Sequence, residues 1–500
     1  MATTTSVSTV REDTASAPRP YTDLGRQFIA GRWRDGRSGK RGDDRNPYTG
    51  ETLLSVAYAD ASDVDEAYRA AKAAQPAWEA LPPPERSAIL LRAAAILQAR
   101  KAEIVDWIVR EAGGTRIKAE AEWGLVLGGI NEAASYPGRL SGSILPSSVP
   151  GMESRVYRKA AGVVCIISPW NFPLQLANRS IAPALACGNA IVVKPATDTP
   201  VTGATLLAKI YEEAGVPPGV FNVVIGAGSD IGDAVVEHPI PRVVSFTGST
   251  PVGQHIGELC GKHVKRVCLE LGGNAPFVVL ADADLDRAVD AAAFGKFMHQ
   301  GQICMAVNRI VVDRAVYDAF VEKFAAKVRG LAVGDPARPG TVIGPIVNRH
   351  QLDSILEKVE KIKAAGARVV VDGTAEGLVL HPIVLADVKN EDAQEELFGP
   401  VALIIPVDGD DEAVRVANDV PYGLSSAVFS RDLERGVAVA RRIEAGMTHV
   451  NDSPVNDEPN TAFGGEKASG IGRFGGKWAI GEFTTDHWIS VQHTPRPYPF

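Results

Sequence analysis

At 500 residues, 45% hydrophobic and 22% charged, the chain has the make-up of a soluble globular protein. It is too long for one ordinary hydrophobic core, so two or three domains are expected. A formal net charge of −8 gives no footing for a nucleic-acid or anionic-membrane partner, and no run of about 18 apolar residues is present to cross a bilayer. Five cysteines, unevenly spaced and without a CxxC pair, fit neither a disulfide framework nor a zinc site; they fit a reducing, cytoplasmic setting.

Residues 1–24 read as a disordered tail. Met1–Pro20 is rich in Ser, Thr and Ala, lacks the apolar stretch of a secretion signal, and carries Glu12 and Asp13, which speak against a transit peptide. Residues 62–135 read as helical, with Ser62 and Asp63 as N-cap candidates and a break at Pro82-Pro83-Pro84. From residue 160 short apolar runs alternate with helical segments: 163–167, 190–194, 221–225 and 243–246. Such runs suit buried parallel strands, and the alternation predicts βαβ units in an open sheet. Ligands in such sheets collect at the carboxyl ends of the strands. There stand Ser168-Pro169-Trp170-Asn171, then Lys194-Pro195-Ala196-Thr197, then Gly226-Ala227-Gly228, then Thr247-Gly248-Ser249. Glycines that admit a close backbone, a cation and helix N-termini together suggest a nucleotide site, although the spacing is not GxGxxG. A second α/β segment begins with a strand at 277–280 and a helix at 284–298 and continues to about residue 450. Residues 483–492 alternate like a strand.

Two further phrases carry chemistry. Cys304 ends Gly301-Gln302-Ile303-Cys304, and Glu270 lies in Leu269-Glu270-Leu271-Gly272-Gly273. A thiol and a carboxylate in two glycine-flanked loops suit covalent acyl chemistry, the thiol attacking a carbonyl and the carboxylate taking a proton from the thiol or from water. Cys165, Cys187, Cys260 and Cys268 sit in apolar or helical runs and read as small buried hydrophobes.

These phrases resemble those of the aldehyde dehydrogenase superfamily: Pro169-Trp170-Asn171-Phe172-Pro173, Val193-Lys194-Pro195, Phe246-Thr247-Gly248-Ser249-Thr250, the Glu270 and Cys304 phrases, Glu396-Leu397-Phe398-Gly399-Pro400, and Phe463-Gly464-Gly465. They stand in the family's order, from about residue 25 to the C-terminus. The resemblance implies an α/β protein with a Rossmann-like open parallel sheet for the cofactor (residues 25–138 and 160–272). It also implies a second α/β catalytic domain (273–470) and a small β oligomerisation arm (139–159 and 480–500). In the family the C-terminal strand pairs with a neighbouring subunit, so a homodimer or homotetramer is implied.

By the same resemblance Cys304 is the nucleophile, Glu270 the base for thioester hydrolysis, and Asn171 the oxyanion donor. The cofactor, NAD or NADP, would contact Ile167, Ser168, Pro169, Trp170, Lys194, Thr197, Gly226, Gly248, Ser249, Val252, Leu271, Glu396 and Phe398. A solvated acidic run is the rival reading for Glu396, and core packing for Phe398. Many NAD-preferring relatives have Glu where this chain has Thr197, which carries no charge to repel a 2′-phosphate; NADP is therefore expected to be accepted. The closing segment and Phe297-Met298-His299-Gln300 resemble the aromatic-aldehyde branch, the benzaldehyde and vanillin dehydrogenases. Phe172, Leu176, Ile303 and Phe463 would line a flat apolar tunnel, with Arg179 as the nearby cation. A broad or aliphatic aldehyde specificity, a CoA-acylating enzyme and a silent nucleotide-binding homologue are the alternatives.

Overall fold

The structure is a computed structural model and describes residues 18–500. Most of the expected tail, residues 1–17, lies outside the described residues. Its last part corrects the expectation. Leu24 is buried, the Tyr21 amide donates to Glu103 Oε1 at 2.7 Å, and the Arg100 guanidinium lies 3.7 Å from the Tyr21 ring centroid. An aromatic and a leucine thus fasten residues that composition alone reads as tail.

The helical region is four helices, Ala61–Glu79, Pro83–Ala99, Lys101–Ala112 and Arg116–Ala134. The first is capped two to three residues earlier than expected, at Asp60. Asp60 accepts from the Ser62 and Asp63 amides, and the Asp63 side chain accepts from the Asp60 amide, a reciprocal capping box.

Five parallel strands form the centre of the first sheet. In spatial order they are Phe221–Val223, Ala190–Lys194, Val163–Ile167, Val243–Thr247 and Arg266–Glu270. Antiparallel strands Gln27–Ile29 and Arg32–Arg34 extend one edge, and Gly470–Ile471 closes the other against Leu269 and Glu270. Alternation along each strand feeds two cores. Val163, Cys165 and Val192 join one with the helix Ala61–Glu79, while Val164, Ile166 and Ile191 join the other with the helix Pro173–Ala186. The first and fourth strands in sequence, Val163–Ile167 and Val243–Thr247, are neighbours, so the strand order reverses between them. That crevice is where ligands of such sheets bind.

A second sheet has the order Arg368–Val371, Ile383–Ala386, Val401–Val407, Val307–Asp313, Ala275–Val279, Ser425–Phe429, Met447–Val450, parallel except at its first pair. A third pairs Thr484–Gln492 with Met152–Ala160 over nine residues, and Ser143–Leu145 beyond. The C-terminal strand therefore pairs with the hairpin of its own chain. Pairing of this strand with a neighbouring subunit, as the family resemblance implies, would use its other edge, which has no partner strand among the described residues. Ile144, Leu145, Tyr157, Trp488 and Ile489 leave this small sheet with exposed apolar side chains.

Candidate active site

Glu270 ends the strand Arg266–Glu270, and its exit loop is clamped by buried Ser469. The Ser469 carbonyl accepts from the Leu271 amide at 2.9 Å, and its hydroxyl donates to the Gly272 carbonyl at 2.7 Å. Gly273 then passes so close to the thiol's own residue that a Cβ there would lie 2.2 Å from the Cys304 carbonyl oxygen. Only glycine permits that approach. On the other side Gly301 has φ +72°, and a Cβ there would lie 2.2 Å from the Gly399 carbonyl oxygen. Two loops are thereby pressed together, and the Cys304 thiol donates to Glu270 Oε1 at 3.2 Å.

Asn171 precedes the helix Pro173–Ala186, whose own N-cap residue Phe172 offers no side-chain cap. The cap comes from the helix Arg116–Ala134: buried Glu122, paired with Lys118, accepts the Leu174 and Gln175 amides at 2.9 and 3.1 Å. An anion at a helix N-terminus is worth up to about 2 kcal/mol in a partly buried setting. It fixes the helix that presents Asn171, Leu176 and Arg179 to the thiol. The Asn171 amide donates to the Gln302 carbonyl at 3.0 Å, beside Cys304.

Two cavities meet at the thiol. The first, about 400 Å³, is largely apolar and contains all five residues expected to bind substrate, Phe172, Leu176, Arg179, Ile303 and Phe463. The second, about 280 Å³, lies at the crevice between the reversed strands and is lined by Pro169, Trp170, Gly248, Ser249, Leu271, Glu396 and Phe398. Asn171, Leu176 and Cys304 line both. Phe398, with φ 54°, meets Trp170 edge-on at 5.4 Å between centroids, so its ring does line the second cavity.

Six expected cofactor residues stand elsewhere. Ser168 turns away, donating to the Gly203 carbonyl at 3.1 Å. Ile167 ends its strand half-buried and Gly226 is buried before the helix Gly228–Glu237. Val252 is 48% exposed on the neighbouring helix Thr250–Lys262. Thr197 lines a separate cavity with Asp198, Asn348 and Arg349. Asp198 faces Asn348 there, accepting at 3.1 Å. Lys194 is 5% exposed. Its amine reaches only the Pro195 carbonyl, at 3.2 Å, with no carboxylate in ion-pair range among the described residues. Burial pulls it from 10.5 down to about 8.

The surroundings of the thiol disfavour its thiolate form. Burial first, and the Glu270 carboxylate second, hold Cys304 well above the usual thiol range. Burial also raises Glu270, opposed by the Arg179 guanidinium. Glu396 is raised to about 7 by burial, against the Gly273 amide that donates to it at 3.0 Å.

Several site residues escaped the sequence reading. Asp457 accepts from Arg179 at 2.6 Å and from Gln175 at 3.2 Å. Ala121, Gly124 and Gly128 open one face of the helix Arg116–Ala134 onto the first cavity. Their spacing of three and four was a visible signal: small residues along one helix face leave room for something else.

A family model for the aldehyde dehydrogenase family matches residues 33–489. A vanillin dehydrogenase of Corynebacterium glutamicum is 52% identical over 476 residues, 94% of this chain and 98% of its own. A benzaldehyde dehydrogenase of Bacillus subtilis is 52% identical over 482 residues, 96% and 99% of the two chains. The crystal structure of an NAD-dependent benzaldehyde dehydrogenase from Corynebacterium glutamicum has a TM-score of 0.87 at 50% identity, covering 94% of this chain and 99% of that one. The chain belongs to the aldehyde dehydrogenase family. Its activity is that of an aldehyde oxidoreductase.

Proposed function

We propose that the protein oxidises an aromatic aldehyde of the benzaldehyde or vanillin type to the carboxylic acid, with NAD or NADP, through a thioester on Cys304. The observation that carries this reading is the position of Cys304, bonded to Glu270 where an apolar cavity meets the sheet's crevice. The names of the 52%-identical relatives support the aryl substrate.

The residues present suit the cofactor. Among the described residues Lys194 is a buried amine without an anion, and a group left so is costly unless a ligand completes its bonds. Ser249 precedes the helix Thr250–Lys262 at the crevice, where backbone N–H groups favour phosphate. Lys194 and Glu396 would hold the two riboses, and Gly248 and Ser249 the pyrophosphate. When bound, the nicotinamide supplies a hydride acceptor.

The chain's own residues do the rest. Glu270 takes the Cys304 proton across their hydrogen bond, and Sγ bonds to the aldehyde carbon. The Asn171 amide and the Cys304 backbone N–H stabilise the oxyanion; each such donor is typically worth about 3 kcal/mol. Glu270 passes that first proton to solvent; once the thioester stands on Sγ it takes a proton from water, which attacks the acyl carbon, and returns it to the departing thiolate, releasing the acid and the thiol. The exposed apolar face around Ile144 and Trp488 supports a homo-oligomer, and the family resemblance gives dimer or tetramer.

An aldehyde panel run with both cofactors on wild type and Cys304→Ala tests the reading. Benzaldehyde and vanillin should be oxidised by wild type alone. Equal activity of the two proteins would remove the nucleophile; a preference for short aliphatic aldehydes would remove the substrate.

A further inference from the structure

Arg179 was expected to meet the substrate, yet both arms of its guanidinium are already engaged. Its side chain is 7% exposed. Nη1 donates to Glu270 Oε2 at 3.0 Å and Nη2 to Asp457 Oδ2 at 2.6 Å. The guanidinium carbon lies 3.7 Å from the centroid of the Phe463 ring, which packs against it between the two carboxylates. Glu270, fully buried, has its other oxygen on the Cys304 thiol. Asp457 belongs to the loop after Met447–Val450, which also walls the apolar cavity.

From this geometry we infer that Arg179 is a positioning residue for the base: it keeps the buried Glu270 carboxylate ionised and aimed at the thiol, and Asp457 limits that effect by sharing the guanidinium. A carboxylate with no solvent contact takes up a proton unless a cation sits beside it, and a protonated Glu270 cannot accept one from water. A cation serving Glu270 alone would over-stabilise the carboxylate and weaken it as a base. The second carboxylate divides the charge. The charged and titratable groups facing Glu270 are Arg179, Cys304 and Asp457, with Glu396 across the second cavity. Burial lowers Arg179, but Asp457 and Glu270 outweigh it, so the guanidinium stays charged throughout the working range.

The inference rests on Glu270 as the hydrolytic base, and its test separates the two. The acidic limb of kcat against pH, measured on wild type, Arg179→Gln, Arg179→Lys and Asp457→Asn, reads the ionisation of Glu270. Arg179→Gln should move that limb up by about one pH unit or more, a tenfold loss on the acid side, with activity returning at high pH. Arg179→Lys should restore part of the displacement, and Asp457→Asn should move the limb down. The opposite directions cannot arise from misfolding, and if Arg179→Gln fails to fold, the other two decide. A raised aldehyde KM with an unmoved limb in all variants would return Arg179 to substrate binding and overturn the inference. Thioester hydrolysis surviving in Glu270→Gln would overturn the base itself and the inference with it; loss of hydrolysis there, beside unmoved limbs, overturns the inference alone.

Discussion

Replacing Lys194 with Met separates what this residue does for the fold from what it does for the ligand. The amine is held at about 8 instead of 10.5. At about 1.4 kcal/mol per pH unit, burying the charged form costs roughly 3 kcal/mol. Below pH 8 the amine is protonated in the folded and the unfolded chain, so the whole penalty is present. Between pH 8 and 10.5 the unfolded chain holds the extra proton, so stability rises with pH as the penalty is relieved. Met keeps the apolar stem and removes the charge. Unfolding of 500 residues carries an entropy of roughly 1 kcal/mol/K, so the variant should melt about 3 °C higher than wild type at pH 7. The difference should shrink towards zero by about pH 10. In the same variant the cofactor KM should rise by about tenfold or more, the loss of a charge-assisted hydrogen bond. Scanning calorimetry at pH 7 and 10 and cofactor titration at fixed aldehyde measure both quantities. A Tm at or below wild type at pH 7, with an unchanged cofactor KM, would refute the idea that this amine waits for a ligand.

Asn171→Ala should lower kcat by about 10²–10³ with little change in aldehyde KM, since the amide acts on charge that develops only in the transition state; a loss under about fivefold would assign Asn171 to holding the Gln302 carbonyl. Thr197 lines a cavity apart from the thiol's, so Thr197→Glu tests whether the adenine-side ribose reaches it: a carboxylate beside a 2′-phosphate should abolish activity with NADP and spare that with NAD, whereas equal rates with both cofactors would place Thr197 outside the cofactor site. That expectation fails if wild type shows no measurable rate with millimolar NADP.

Cys304 and Glu270 were legible because their chemistry is written in residue type and local glycines, and the two loops they occupy are short. The strand-end loops were legible one at a time, but not their grouping. Chain order presents the loops after all four strands as equals. In space the second and third strands lie on one side of the first and the fourth lies on its other side, so the crevice opens between the first and fourth, and Trp170 and Gly248 share the thiol's cavity while Lys194 and Gly226 do not. The bridge from Glu270 through Arg179 to Asp457 joins residues 91 and 278 apart in sequence. No periodicity marks such contacts, and a lone arginine beside an aromatic reads equally as a substrate contact. The C-terminal strand shows the same gap: alternation gave its conformation, while its partner depended on how the chain folds back over more than 300 residues.

The same separation explains how one reaction can be fitted to many aldehydes. The crevice side of the thiol is built from strand ends and the Glu270 loop, fixed by the parallel sheet, together with the helix Arg349–Ala364 and the Glu396–Phe398 segment. The aldehyde side is built from the small-residue face of the helix Arg116–Ala134 and from the irregular segment carrying Val455, Asn456 and Asp457. Asn171, Leu176 and Cys304 alone line both. A side chain added at Gly124, where a Cβ meets nothing within 4 Å, changes the room for the aldehyde without touching the dinucleotide's walls. A change at Asp457 reaches further, because through Arg179 it also touches the base. Aldehyde choice is therefore free to vary along the helix and constrained along the loop.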